Sequence, residues 1–395
     1  MLECGSFACD IIRVMWQRLK NSWREIIATF LLVLSVEQTT KVFATLKPTQ
    51  WPLDVDIYLQ AARVWREGGD PYQDLGYGPA LSFFYPPLAL VLMRPLTYVP
   101  RDVAVGVWVL SGYVFFGAMI YLTLSLLDRP VTWARWAVVT ALGMQTFSFK
   151  FNLGMGQINL LVIFLVMLAL YCWQWRQKSV LAGIFLALAT GLKVMPIFMV
   201  PYFVVKKQWR VVCAFMVATA VYSLLTPALS WQYATRVAPT LNIYGVSADN
   251  YYDQSLSSAL ARLAGASSLW EWVALAWAGW WYGWWLFWSW RERKLTVIPP
   301  LMLLVIGLMA RAPIWPHYMV YLYPVAILSF DRQWWWLGIS WLLLQLHFDN
   351  ANVVSQRIPV WLISTGTYWY LGLLLLVSYR YLRSQNSTQF AGSSR

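Results

Sequence analysis

The chain has 395 residues, 59% of them hydrophobic and only 12% charged, with a mean hydropathy of +0.52. Soluble domains carry about 25% charged residues, so this composition excludes a soluble protein and implies an all-α polytopic membrane protein. A formal net charge of +13 does not point to nucleic acid, because Lys and Arg fall in short clusters between apolar runs, as the positive-inside rule produces.

Residues 8–24 pair Ile11, Ile12, Met15, Trp16, Leu19 and Trp23 with Arg13, Arg18, Lys20 and Arg24. That pattern predicts an interfacial amphipathic helix, held on the inner leaflet by apolar burial and charge. Residues 1–24 lack a continuous apolar run, so no cleavable signal peptide is expected. A first span follows over 26–46, with Glu37 and Lys41 spaced to neutralise each other. Cys172 and Cys213 lie in apolar spans as packing residues. No cysteine spacing, that of Cys4 and Cys9 included, suggests a zinc site or a disulfide framework.

Residues 53–87, LDVDIYLQAARVWREGGDPYQDLGYGPALSFFYPP, form a long polar segment whose front half has helical periodicity. At about 100° per residue, Asp56, Gln60, Arg63 and Glu67 make one polar stripe. Asp54 lies on the other side, with Tyr58, Ala61, Ala62 and Trp65. A carboxylate on the protein side of a juxtamembrane helix is costly unless it is used or paired. The plainer reading is that Asp54, at a helix start, is an N-cap. Gly68-Gly69-Asp70-Pro71 then ends the helix. Residues 81–98 are broken by Pro86, Pro87 and Pro95 into runs shorter than the ~20 residues of a span, so a re-entrant or short segment is expected.

Clearer spans follow at 103–127, 134–152, 157–174, 179–193, 195–205, 209–228, 269–290, 295–310, 317–330, 334–348 and 358–381, about 12 with the first. The chain thus divides into the interfacial helix (1–24), a transmembrane domain (25–382) with large extracytoplasmic loops at 47–82 and 230–268, and a polar, disordered cytoplasmic tail (383–395). If 81–98 does not cross, Arg129, Arg135, Arg176, Lys178, Lys206, Lys207, Arg210, Arg291, Arg293, Lys294, Arg332, Arg380 and Arg383 face the cytoplasm. The same choice gathers the polar, Gly- and Pro-broken junctions on the outside.

Those junctions carry a resemblance. Asp54-x-x-Ile57-Tyr58 with Ala61-Ala62, Asp70-Pro71-Tyr72, and Tyr85-Pro86-Pro87 with Pro95 resemble the opening of glycosyltransferase family 87. Gly156-Gln157-x-Asn159 is similar to that family's GQxN, and Lys193-x-x-Pro196 to its K-x-x-P. Asp253-Gln254-Ser255-Leu256 with Arg262 resembles N-Q-S-L…R, with Asp253 in place of the usual Asn. Trp315-Pro316-His317-Tyr318 resembles its W-x-H-H or W-P-H-Y segment. The resemblance implies a GT-C fold with an amphipathic juxtamembrane helix in the first extracytoplasmic loop. It also implies a transferase that takes mannose or another hexose from a polyprenyl-monophosphate donor. The family's catalytic aspartate in that loop matches Asp54, with Asp56 as a local competitor.

Moving a sugar off a lipid phosphate needs a base for the acceptor hydroxyl, and cations or donors for the departing phosphate. Asp54 and His317 are the expected catalytic residues. Asp56, Tyr58, Tyr85, Gln157, Asn159, Lys193, Gln254, Arg262, Arg311 and Trp315 are the expected substrate-binding residues, with Lys193, Arg311 and His317 turned to the phosphate. Blander roles stay open: Lys193 snorkelling to the interface, Arg311 a border charge, Gln157 and Asn159 satisfying a helix end, His317 held by a structural hydrogen bond. No carboxylates cluster at metal spacing, so neither metal nor cofactor is expected. The expected partners are a polyprenyl-phosphate sugar, a glycolipid, glycan or protein acceptor, and membrane lipids, at the extracytoplasmic face of the cell inner membrane. A secondary transporter would show two related halves, and none is found. A lipid-linked glycan flippase or polymerase would share the outward cavity but not require the Asp54 pattern.

Overall fold

Residues 6–41, 53–73, 75–76, 82–127, 129–240, 253–292, 294–310, 313–330 and 364–392 are described by the computed structural model. Among them the chain forms helices and turns and no strand, consistent with a GT-C membrane fold. The first helix, α1 (Ser6–Thr40), is uninterrupted. The interfacial helix expected over 8–24 and the span expected from 26 are therefore one element. No Gly or Pro separates them, and helix propagation is cooperative. Glu37 and Lys41 pair at 3.6 Å on the exposed surface.

The acidic segment opens with α2 (Asp54–Arg66), stopped by Gly68 at φ +85° and by Asp70, whose carboxylate accepts from Tyr72 N at 2.9 Å. Over the proline-broken stretch the chain makes only α3 (Pro87–Met93) and a 3-10 turn (Arg94–Tyr98), each far short of a crossing. Both pack on α2, and Arg66 donates to Thr97 O at 2.8 Å across the seam.

α4 (Arg101–Ser125), with 25 residues, is about 37 Å long. It exposes Val103, Val107, Leu110 and Val114 along one face, as a helix against lipid does. Among the described residues it is the one helix long and apolar enough to cross a membrane alone. The span expected over 134–152 is split at Thr146 into α5 (Trp133–Gln145) and α6 (Phe147–Met155). Thr146 is extended (φ −69°, ψ 148°), and its hydroxyl caps α6 by accepting from Phe149 N at 3.3 Å. α6 meets α7 (Asn159–Gln174) at a bend of 116°. α8 (Ser179–Leu192), a 3-10 turn (Met195–Met199) running into α9 (Val200–Val205), and α10 (Trp209–Leu225) follow. Beyond a 109° bend, α11 (Pro227–Gln232) starts the second large loop, which closes with α12 (Leu256–Ala264).

The final part holds α13 (Leu269–Arg291), α14 (Ile298–Met309), a 3-10 turn (Pro316–Leu322), α15 (Tyr323–Phe330) and α16 (Thr365–Gly392). The tail expected to be disordered from 383 continues α16 as far as Gly392, there being no Gly or Pro between 373 and 391. The expected span over 334–348, and Arg311, lie outside the described residues. Among the described residues, α4 alone is long and apolar enough for a span, the two bent pairs add two, and α8, 195–205 and α14 are shorter apolar helices; the expected count of about 12 spans is not confirmed by these.

α14 is the axis of the bundle. Every residue from Pro299 to Met309 is buried, the pattern of a helix apolar on all sides. It packs against α13 and the 195–199 turn. Gly307 admits Phe198, whose Cγ would lie 2.2 Å from a Cβ at that position. Four chain breaks then come together: the start of α2, the α6–α7 turn, the end of α8 and the 316–322 turn, linked by the contacts described next.

Candidate active site

Leu53 is the N-cap of α2, so Asp54 is its first helical residue and makes no side-chain cap. The N-cap role, the plainer alternative for Asp54, is not seen. Asp56 does the local work instead, its Oδ2 accepting from Leu53 N at 3.2 Å. The same carboxylate meets Arg101 in a two-pronged pair, Nε to Oδ1 at 2.7 Å and Nη2 to Oδ2 at 3.0 Å. Asp54 turns the other way, as the helical phase requires. Its Oδ2 accepts from Gln157 Nε2 at 2.6 Å. Burial pushes the Asp54 carboxyl up to about 6, against the lowering pull of the Gln157 hydrogen bond and of Lys193.

Gln157 is delivered by a left-handed turn. Gly156 ends α6 at φ +64°, ψ 38°, and a Cβ there would lie 2.5 Å from Val55 Cβ. Only glycine allows both that backbone and that contact. Trp108 of α4 locks the turn by donating from Nε1 to Gly156 O at 2.8 Å. The two ends of the Asp54–Gln157 hydrogen bond are thus each one residue from the Val55–Gly156 contact.

From Gln157 a buried polar network runs inward. Tyr58 OH donates to Tyr85 OH at 2.8 Å, and the two hydroxyls lie 3.2 and 3.3 Å from Gln157 Oε1. Asn159 Nδ2 lies 3.5 Å from the same oxygen and donates to Asn152 Oδ1 at 3.1 Å. Asn159 Oδ1 accepts from Lys193 Nζ at 2.7 Å and Tyr321 OH at 3.2 Å. Lys193 is buried, its Nζ 4.0 Å from the centroid of the Tyr318 ring and 5.4 Å from that of Tyr85. The arrangement is a cation held by ring faces and one amide oxygen.

His317 completes the group. Asn152 Nδ2 donates to its carbonyl oxygen at 2.7 Å. Its ring stands edge-on to Tyr318 at 4.5 Å and parallel to the half-buried Trp315 at 6.4 Å. The ring is buried, yet among the described residues neither Nδ1 nor Nε2 has a hydrogen-bond partner. Buried polar atoms are normally satisfied, so an orphaned imidazole beside Lys193 marks a place for an external acceptor.

Other expected site residues lie elsewhere. Arg262 is buried and donates to Asp253 O at 2.8 Å and Ser364 Oγ at 3.0 Å. Gln254 Oε1 accepts from Gly366 N at 3.1 Å, and its backbone N donates to Ile314 O at 2.7 Å. Both tie the second large loop to α16 and to the segment before Trp315. Asn152, Tyr321, Trp108 and Arg101 were not singled out from the sequence, and Tyr318 only as part of the Trp-Pro-His-Tyr motif. For Asn152 the signal was present, a buried amide one turn before the Gly-Gln-x-Asn motif. Among the described residues no three His, Cys, Asp or Glu side chains gather as a metal site.

The model of glycosyltransferase family 87 matches residues 83–311, leaving Asp54 and His317 outside the match. The chain is 28% identical over 353 residues to a polyprenol-phosphate-mannose-dependent alpha-(1-2)-phosphatidylinositol mannoside mannosyltransferase of Mycobacterium tuberculosis, covering 81% of this chain and 80% of the relative. It is 25% identical over 316 residues, 75% of each chain, to a polyprenol-phosphate-mannose-dependent alpha-(1-2)-phosphatidylinositol pentamannoside mannosyltransferase of Mycolicibacterium smegmatis. An alpha-(1->3)-arabinofuranosyltransferase of Corynebacterium glutamicum is 29% identical over 209 residues, 48% of this chain and 46% of the relative. No solved structure matches.

Proposed function

The chain belongs to glycosyltransferase family 87, and on that premise we propose that it moves mannose, or another hexose, from a polyprenyl monophosphate to an acceptor hydroxyl, with inversion at the anomeric carbon and Asp54 as general base. The observation that carries this reading is one hydrogen-bonded group that holds the part-buried Asp54 carboxylate and Lys193, with the unpaired His317 imidazole beside it, its carbonyl tied to the same group by Asn152. A carboxyl near 6 is mostly ionised at neutral pH and still basic enough to take a proton in flight. The mannosyltransferase relatives support mannose and polyprenol phosphate as donor. The arabinofuranosyltransferase, similar over about half the chain, supports the sugar-transfer chemistry more than any one sugar.

In this reading the acceptor oxygen bonds to the anomeric carbon as Asp54 takes its proton. The bond from that carbon to the phosphate oxygen breaks, and its electron pair leaves with the polyprenyl phosphate. Lys193 and His317 stabilise the charge that grows there, which is where pre-set donors contribute most. The polyprenyl tail stays in the bilayer, so the donor enters sideways between helices. The chemistry faces the extracytoplasmic side, opposite the cation-rich turns at 176–178 and 206–210.

The test is transfer from a panel of polyprenyl-phosphate sugars, read by mass analysis of the products, with Asp54→Asn alongside. That variant is expected to fold and bind donor while losing about 10²–10⁴ in turnover. Turnover kept by Asp54→Asn would remove the base assignment. No transfer from any polyprenyl phosphate would remove the function.

A further inference from the structure

We infer that Gln157 is a positioning residue, which occupies Asp54 Oδ2 and so leaves Oδ1 as the oxygen that takes the acceptor proton. The inference rests on the reading of Asp54 as base and adds how that base is aimed. Gln157 is absorbed entirely by the protein. Its Nε2 donates to Asp54 Oδ2 at 2.6 Å, while its Oε1 faces Tyr58 OH, Tyr85 OH and Asn159 Nδ2. A side chain with both ends engaged is poorly suited to the sugar contact expected from the sequence.

The direction of the amide is also determined. Tyr58 and Tyr85 have one hydroxyl proton each; if Tyr58 donates to Tyr85, the Tyr85 proton is left for Gln157 Oε1. Asn159 cannot turn over, because its Oδ1 is held by Lys193 Nζ at 2.7 Å and Tyr321 OH at 3.2 Å. Its NH₂ therefore points at Gln157 Oε1 and at Asn152 Oδ1. Asn152 is fixed in turn, its own NH₂ donating to Ser148 O at 2.8 Å and His317 O at 2.7 Å. A flipped Gln157 would set its oxygen against Oδ2 and its NH₂ against that of Asn159. Lys193, at the far end of this chain of amides, thus sets the orientation of the group that grips Asp54.

Among the described residues, the charged and titratable groups around Asp54 are few. Tyr58 and Asp56 lie on its own helix, Asp56 being turned away onto Arg101. Tyr85 comes from the segment before α3, and Lys193 from the end of α8. Tyr318 and His317 stand behind Lys193. Gln157 is the one that touches the carboxylate.

Gln157→Met keeps the length of the side chain and removes the donor. In the purified enzyme with polyprenyl-phosphate mannose, kcat is expected to fall roughly tenfold to a hundredfold, the range for one hydrogen bond to a charged group. Donor KM should stay within about twofold. The acid limb of kcat/KM should move above its wild-type position, since a hydrogen bond that favours the ionised carboxylate is gone. If Gln157→Met does not fold, the pair Tyr58→Phe with Tyr85→Phe is used, which keeps Gln157 and frees its amide. The same limb shift with a smaller loss of kcat is expected of it. An unmoved limb with kcat within twofold in a folded variant overturns the inference. If Asp54→Asn is inactive in that experiment, the base reading stands and only the positioning role is lost; if Asp54→Asn is active, both fall.

Discussion

Gly156→Ala is the sharpest test of how the acidic helix is seated. Gly156 sits at φ +64°, where an L side chain costs roughly 1–2 kcal/mol. The new methyl would also lie 2.5 Å from Val55 Cβ and 2.8 Å from Val55 Cγ1. Overpacking of that kind costs about 1–3 kcal/mol, so the total is about 2–5 kcal/mol, against a typical stability of roughly 5–15 kcal/mol. The clash can be relieved only by moving α2 away from the α6–α7 turn. That motion stretches the 2.6 Å hydrogen bond between Asp54 and Gln157. Turnover should therefore fall further than the fraction unfolded accounts for. Gly68→Ala is the control: φ there is +85°, but nothing lies within 4 Å of the added Cβ. It carries the backbone strain without the contact, and the two variants should differ by the overpacking cost. Thermal unfolding in detergent, with turnover measured on the same preparations, reads both. If Gly156→Ala costs no more than Gly68→Ala and keeps its turnover, α2 is not seated on this turn.

Four other outcomes are expected. The kcat/KM profile should have an acid limb near pH 6, falling tenfold per unit below it as Asp54 takes up a proton; a limb near 4 would mean an ordinary exposed carboxylate. The same raised value favours folding below the carboxyl's unfolded range of about 4, and that contribution is lost as pH rises through about 6. Asp54→Asn should then unfold at the same or a higher temperature than wild type at pH 7.5, and a marked loss would assign Asp54 a structural role. Asp56→Asn and Arg101→Ala should each cost about 1–3 kcal/mol, as for a hydrogen-bonded charge, with turnover largely kept and a double variant little worse than either alone. Cysteine placed at Glu67 should react with an impermeant reagent in intact cells, and cysteine at Lys178 only after permeabilisation; the reverse pattern would invert the topology.

Helix existence was legible in the apolar runs, and helix continuity was not. Residues 8–46 read as two elements because their composition changes at Glu25, but composition changes do not stop a backbone that has no Gly or Pro. The opposite error came at Thr146, in a run that reads as one apolar span. The Thr146 hydroxyl caps the next helix at the break, a role for which Thr competes with helix continuation. The tail after 383 is polar enough to read as disordered, yet it is the continuation of a helix whose earlier turns bury Trp369, Tyr370 and Leu374. In each case, the deciding interaction lies outside the window from which the element was read.

The site was legible to the extent that it lies on breaks. A bilayer tolerates unpaired backbone groups only where protein or a cavity satisfies them, so each Gly- or Pro-broken junction had to carry polar side chains. Asp54, Gln157, Asn159, Lys193 and His317 were all found that way. What breaks alone cannot reveal is which polar group holds the structure and which is left over. Helical phase separated Asp54 from Asp56, but Arg101, which pairs with Asp56, is far along the chain. Gln254 and Arg262 share a motif with Asp253 and read as substrate contacts, yet all three are spent on loop closure. Asp253 shows why the exchange of Asn for Asp matters less there than the sequence suggests. Its carboxylate oxygens accept from Ser255 N, Ile314 N and Ser258 Oγ at 2.9, 2.8 and 2.6 Å. Every demand on it is for an acceptor, which a carboxylate meets without the amide. The group of this network left with an unmet demand is His317, whose ring nitrogens have no partner among the described residues. Around it, nearly every other polar side chain of the network is matched to a neighbour. An external oxygen brought to this place would meet a ready donor, and the Asp54 carboxylate is linked to the His317 backbone through Gln157, Asn159 and Asn152.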